Sequence, residues 1–311
     1  MQTQRARGGF PGAIRLPPTF RRLAVSKWQL SYIRGLPVSL SARIVTAVSL
    51  LACAAVPLAA QRARHTDDWL ASCRDRDWGG DSRAHFCEVR NSGFKAPGGT
   101  ITVDPGENGG VRISGWDRDS VAVAAKVQAY AETDSEAREL AQQIRIETSG
   151  GTIRAEGPGY RRHASWSVSF DVQLPRRSDL HAETVNGPIS VEEVTGRMEL
   201  RAQNGPLHLD AVGGDVHART VNGPLVVTLL GERWDGTGLD SETENGPVVL
   251  TIPQRYSAHL ETGTVNGPMS LDIPVTVQGR INFHRISTDI GSGGPLVRAV
   301  TTNGPVTVRS Q

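Results

Sequence analysis

Leu180-His181-Ala182-Glu183-Thr184-Val185-Asn186-Gly187-Pro188-Ile189-Ser190-Val191 is answered 18 positions later by Met198-Glu199-Leu200-Arg201-Ala202-Gln203-Asn204-Gly205-Pro206-Leu207-His208-Leu209. The tripeptide Asn-Gly-Pro then recurs at Asn222, Asn245, Asn266 and Asn303, the first four gaps being 18, 18, 23 and 21 residues. A fixed turn at a period near twenty marks a repeat architecture. The columns stay in phase: Leu180, Met198 and Val216; Ala182, Leu200 and Ala218; Ile189, Leu207 and Leu225; Val194, Val212 and Leu230. Each rung holds two short alternating strands, one on either side of Asn-Gly-Pro.

Asn-Gly between apolar runs ordinarily signals a hairpin. Here the next residue must donate the N–H that closes the turn, and Pro188, Pro206 and Pro224 have none. The pattern therefore predicts an all-β fold, a parallel β-solenoid of ~18–23-residue rungs stacked about 4.8 Å apart. Asn186, Asn204, Asn222, Asn245, Asn266 and Asn303 would form a ladder along one corner. The loop Glu232–Gly238 absorbs the longer gap, after which Leu239, Ser241 and Thr243 resume the columns. Leu260, Thr262 and Thr264 continue them, then Val297, Ala299 and Thr301. Between Asp272 and Gly294 the phase is lost, and Ile281 and Phe283 suggest a half-matched rung.

Of 34 basic and 32 acidic residues, eight Lys/Arg and no acid fall in residues 1–43. The remainder carries 26 basic against 32 acidic groups, a balance of −6, which argues against a nucleic-acid partner. Residues 1–43 read as a basic leader extension or a start-site overcall. Residues 44–60 read as a signal peptide cleaved near Ala60, with a retained anchor or a lipidated Cys53 as alternatives. The localisation expected is exported: periplasmic, cell-surface or secreted.

Cys73 and Cys87 are then an even pair in an exported chain and predict a disulfide, worth about 3 kcal/mol by loop entropy. It would tie a loose arm over 61–97. His85 offers a third soft ligand but no fourth, so no metal is expected. Residues 98–178 alternate as strands around one helix, where Thr133 and Glu136 form a capping box and Ala137, Leu140, Ala141 and Ile144 share a face. This β-rich segment is the expected N-terminal cap of repeats spanning 179–311.

No phosphate loop, zinc-protease helix or nucleophile elbow is present, and no catalytic residue or cofactor is expected. The outward positions nevertheless align. His181, Glu199, His217 and Asp240 form one outer column; Glu183, Arg201, Arg219 and Glu242 form the next. They read as register-setting ion pairs or as a polar face for an envelope glycan or protein. Asp235, Asp240 and Glu242 near a protruding Trp234 loop would be the carboxylates of an alternative, polysaccharide-active enzyme. The C-terminal rung around Asn303 lacks a covering helix, so its edge allows self-association.

The strand Phe170–Pro175, ending in Leu-Pro, leads into Leu-x-Ala-x-Thr-x-Asn-Gly-Pro-Ile-x-Val. In this the chain resembles the bacterial putative-adhesin domains of unknown function, over about 98–311. The resemblance implies an exported, envelope-associated binding or scaffold protein without established enzyme activity. A third class is a polymer-forming scaffold like the bactofilins, which are cytoplasmic.

Overall fold

The computed structural model describes residues 83–159, 161–273 and 284–311. The leader, the signal segment, Cys53, Cys73, Ile281 and Phe283 lie outside them. The described residues are mostly β, with one helix and two ten-stranded sheets of mixed pairing that share one apolar core.

The repeats occupy both sheets in alternation. Strands β8 (Leu180–Asn186), β10 (Thr195–Asn204), β12 (Gly213–Asn222) and β14 (Gly238–Asn245) lie side by side in sheet B. Their companions β9 (Ile189–Glu192), β11 (Leu207–Asp210), β13 (Leu225–Thr228) and β15 (Val248–Ile252) do the same in sheet A. All these pairs are parallel, with Met198 opposite Leu180 and Leu207 opposite Ile189 and Leu225. The strands flanking each Asn-Gly-Pro thus belong to different sheets and do not pair as a hairpin. The alternation sends Leu200, Ala218, Leu207 and Leu225 to the interior, each with no exposed surface.

One column differs from expectation. Leu230 is 64% exposed and Leu229 is buried in its place. Glu193 and Ala211, which close the two earlier rungs, have φ of 57° and 53°; the longer connection after β13 leaves that pattern.

The order of rungs also departs from the order of the chain. β19 (Leu296–Asn303) lies between β14 and β16 (Ala258–Asn266), and β20 (Val306–Ser310) lies between β15 and β17 (Met269–Asp272). The C-terminal rung is therefore interior, paired on both sides, and offers no free edge for self-association. The lost phase before Gly294 includes β18 (Arg285–Ile290), which runs antiparallel along β16.

The other end repeats the device. β2 (Ile101–Asp104) and β3 (Val111–Trp116) pair in parallel with β8 and β9, and so join the repeat ladders. Outside them lie β6 (Thr152–Glu156) and β7 (Ser165–Pro175), also parallel, although they come later in the chain. Antiparallel strands finish this end: β5 (Arg145–Ser149) on β6, β4 (Ser120–Ala131) on β7, and β1 (Ala84–Lys95) on β4. Residues 84–95 of the expected loose arm are thus a 12-residue strand. Helix α1 (Asp134–Gln143) starts at the Thr133/Glu136 capping box and buries Ala137, Leu140 and Ala141.

Candidate binding surface

The asparagine corner is a continuous hydrogen-bonded column. Asn204 donates its side-chain amide to Asn186 at 3.0 Å, Asn222 to Asn204 at 2.8 Å and Asn245 to Asn222 at 3.1 Å. Asn303 then donates to Asn245, and Asn266 to Asn303, both at 2.8 Å. Asn186 in turn donates to Asn108 at 3.1 Å. Asn108 is a seventh member that the repeat signature misses, because Gly110 replaces proline and one extra residue separates it from Val103.

The glycine of each corner is required by the stack. A Cβ on Gly205 would lie 2.1 Å from the Gly187 carbonyl oxygen, and one on Gly223 would meet Gly205 at the same distance. The following proline provides no N–H for that carbonyl, so an internal threonine hydroxyl serves it instead. Thr220 donates to Gly205 O at 2.8 Å, Thr243 to Gly223 O at 2.8 Å, and Thr301 to Gly246 O at 2.9 Å. Ala202 breaks this column, and there Thr184 of the preceding strand bonds the Gly187 oxygen at 3.0 Å.

The outer face of sheet B brings together the eight residues singled out by the columns. His181 stands opposite Glu199, Glu199 opposite His217, and His217 opposite Asp240. Glu183, Arg201, Arg219 and Glu242 run beside them. His181 lies 3.6 Å from Glu199 and 3.9 Å from Glu183, while Glu199 also holds Arg201. Arg219 approaches Glu242 at 3.9 Å, and His217 pairs with Asp215 at 3.4 Å.

The inserted rung adds Arg298, which the sequence columns do not place. It sits 2.5 Å from Asp240 and 3.4 Å from Glu242. Burial opposes its charge, but the bond to Asp240 and the charges of Asp240 and Glu242 outweigh it, and its pKa rises. His259 extends the face beyond Arg298 and bonds Asp289 at 2.8 Å. Two of the three carboxylates offered for catalysis, Asp240 and Glu242, are thus tied to one guanidinium. Trp234 does not protrude: it is 3% exposed, with its indole N–H on the Gly214 carbonyl at 2.9 Å.

On the opposite side of the rungs, Asp210 of sheet A neighbours Glu192. Its pKa is raised by lost hydration and by the Glu192 and Glu193 carboxylates. A shallow cleft of about 600 Å³ follows the glycine corner of Gly196, Gly214 and Gly236. Cys87 on β1 is disulfide-bonded; Cys73, its expected partner, lies outside the described residues. Among the described residues no His/Cys/Asp/Glu group is arranged to hold a metal.

The chain matches no protein-family model and no curated protein. Among solved structures it is similar to a putative cell adhesion protein from Clostridium sporogenes, at 9% identity and a TM-score of 0.40, covering 73% of this chain and 100% of that one. A putative adhesin from Bacteroides fragilis matches at 10% identity and a TM-score of 0.35, over 72% and 97% of the two chains. A putative lipid binding protein from Parabacteroides distasonis matches at 9% and 0.25, over 71% and 96%.

Proposed function

We propose that this protein is a non-enzymatic, exported module of the cell envelope, a parallel β-solenoid that presents the outer face of sheet B to an envelope glycan or protein. The solenoid reading is supported by strand pairs that alternate between two sheets while Asn-Gly-Pro corners stack in register. The repeat body would run from Ile101 through Ser310, with antiparallel strands covering its ends. Export rests on the apolar segment 44–60, and the Cys73–Cys87 pairing on the half-cystine at Cys87.

The observation that carries the binding reading is the convergence of His181, Glu183, Glu199, Arg201, His217, Arg219, Asp240 and Glu242 on one regular, solvent-facing surface. Exposed ion pairs contribute little to stability, about 0–1 kcal/mol each, so a charged ligand exchanges with them at small cost. Cosedimentation of the protein with purified cell-wall sacculi and with outer-membrane vesicles tests the reading. Replacing Glu199, Arg201, His217 and Arg219 together by glutamine should abolish cosedimentation with at most a few degrees' change in melting temperature. Undiminished cosedimentation of a folded variant would overturn the assignment of this face.

A further inference from the structure

The asparagine column ends at Asn108, and beyond it lies a cavity of about 440 Å³. In the later rungs the corner between strands is a short Asn-Gly-Pro link. In the outermost rung β6 and β7 are further apart in sequence, and the space above Asn108 opens between Gly157, Pro158, Gly159, Arg161 and Ala164 on one side and Gly106 and Glu107 on the other.

The column has a direction. Every bond runs the same way, from the Asn266 end towards Asn108, so each side-chain amide is spent on the neighbour before it. Asn108 receives the last donation and has no acceptor for its own amide among the described residues. Aligned hydrogen bonds polarise one another, which strengthens this terminal donor. The main chain is fixed there by Val168, whose N–H donates to the Asn108 carbonyl at 3.0 Å.

The walls supply the complementary chemistry. Glu107 and Glu156 line the cavity, and neither carboxylate makes an ion pair or hydrogen bond among the described residues. Half-buried Trp166 has committed its indole N–H to the Pro158 carbonyl at 2.8 Å, leaving carbon surface for the cavity. A Cβ at Gly157 would lie 2.7 Å from that ring, so glycine lets the loop rest against it. Arg161, also on the wall, is held by Gln143 at 2.9 Å.

We infer that this cavity binds a saccharide of one or two rings. The apolar C–H face of a sugar lies on Trp166, its hydroxyls donate to Glu107 and Glu156, and a ring or hydroxyl oxygen accepts from the Asn108 amide. An organic cation also suits an indole with carboxylates, but it gives the Asn108 donor no acceptor and faces the charge of Arg161. A polyol answers both kinds of group, and the volume falls within the ordinary range of small-molecule sites, about 300–1,000 Å³. The site is remote in sequence from the sheet B charge face and stands without it.

Calorimetric titration of the full-length chain with glucose, N-acetylglucosamine, cellobiose, chitobiose and choline tests this. At least one saccharide should bind, and Glu156→Gln and Trp166→Ala should each weaken it about tenfold or more. The combined glutamine substitution of Glu199, Arg201, His217 and Arg219 should leave the titration unchanged, which separates this inference from the sheet-face reading. Trp166→Phe controls for folding and should retain most of the affinity. No heat with any saccharide, binding indifferent to Glu156→Gln and Trp166→Phe alike with Trp166→Ala also silent, or preference for choline would each overturn it.

Discussion

Asn303 donates its side-chain amide to Asn245, 58 positions earlier in the chain, across 2.8 Å. The same Asn303 accepts from Asn266 at 2.8 Å. These two bonds place the rung of β19 and β20 between two rungs that precede it in sequence. Removing residues 296–311 should strip both neighbours of their native partners. The truncated chain should unfold at a lower urea midpoint than the full chain, and β16 should become susceptible to limited proteolysis. An unchanged midpoint would show that the rung is not inserted.

Leu207 is fully buried between Ile189 and Leu225, whereas His208 on the same strand faces solvent. Leu207→Asp should unfold the protein, because an unpaired buried charge costs several kcal/mol. His208→Asp should stay within about 1 kcal/mol of the parent. Circular dichroism with urea titration separates the two.

Gly205 has no room for a side chain, while a Cβ on Gly98 meets nothing within 4 Å. Gly205→Ala should destabilise by about 3 kcal/mol or more, since the clash is with backbone that cannot move without parting the rungs. Gly98→Ala should be close to neutral. Equal effects in thermal melts would count against corner stacking as the reason for glycine.

The hydroxyl of Thr184 serves the Gly187 carbonyl because Ala202 cannot. Thr184→Val should therefore cost about 1–3 kcal/mol by leaving a buried acceptor unpaired. Adding Ala202→Thr to that variant restores the pattern used by Thr220 and Thr243, and should recover much of the loss. If the double variant is no more stable than Thr184→Val alone, the hydroxyl-to-carbonyl account fails.

Asp210 has a pKa above the ordinary 3.8 in the folded protein, from lost hydration and from Glu192 and Glu193. The folded state thus favours its protonated form. The contribution to stability is present below the ordinary carboxylate value and is lost as pH rises through the raised one. Asp210→Asn should accordingly stabilise the protein at neutral pH, with the gain vanishing in acid. Urea midpoints at pH 7 and pH 3 check the sign; a larger gain at pH 3 would contradict it.

The parallel pairing was legible in the chain because Pro188, Pro206 and Pro224 cannot close a hairpin, and the eight charged positions of sheet B followed from the same columns. Rung order was not legible. Asn245, Asn266 and Asn303 carry identical corner chemistry, so each fits against any other, and nothing local distinguishes neighbours in space from neighbours in sequence. That is why Arg298 escaped notice as the partner of Asp240 and Glu242. Asn108 was hidden by one added residue and by a glycine at the proline position. The cavity at Trp166 depends on residues 107, 108, 156, 161 and 166 meeting at a widened corner, and spacing along the chain gives no sign of it.

The inserted rung also sets a timetable. As the chain emerges from synthesis, residues 258–272 are complete before the strands that will separate them from β14 and β15 exist. Their corner, Asn266-Gly267-Pro268, is already competent to dock on Asn245-Gly246-Pro247 in the same register. An early, in-order stack is thus a natural rival of the native arrangement, and it must open again to admit Leu296–Ser310.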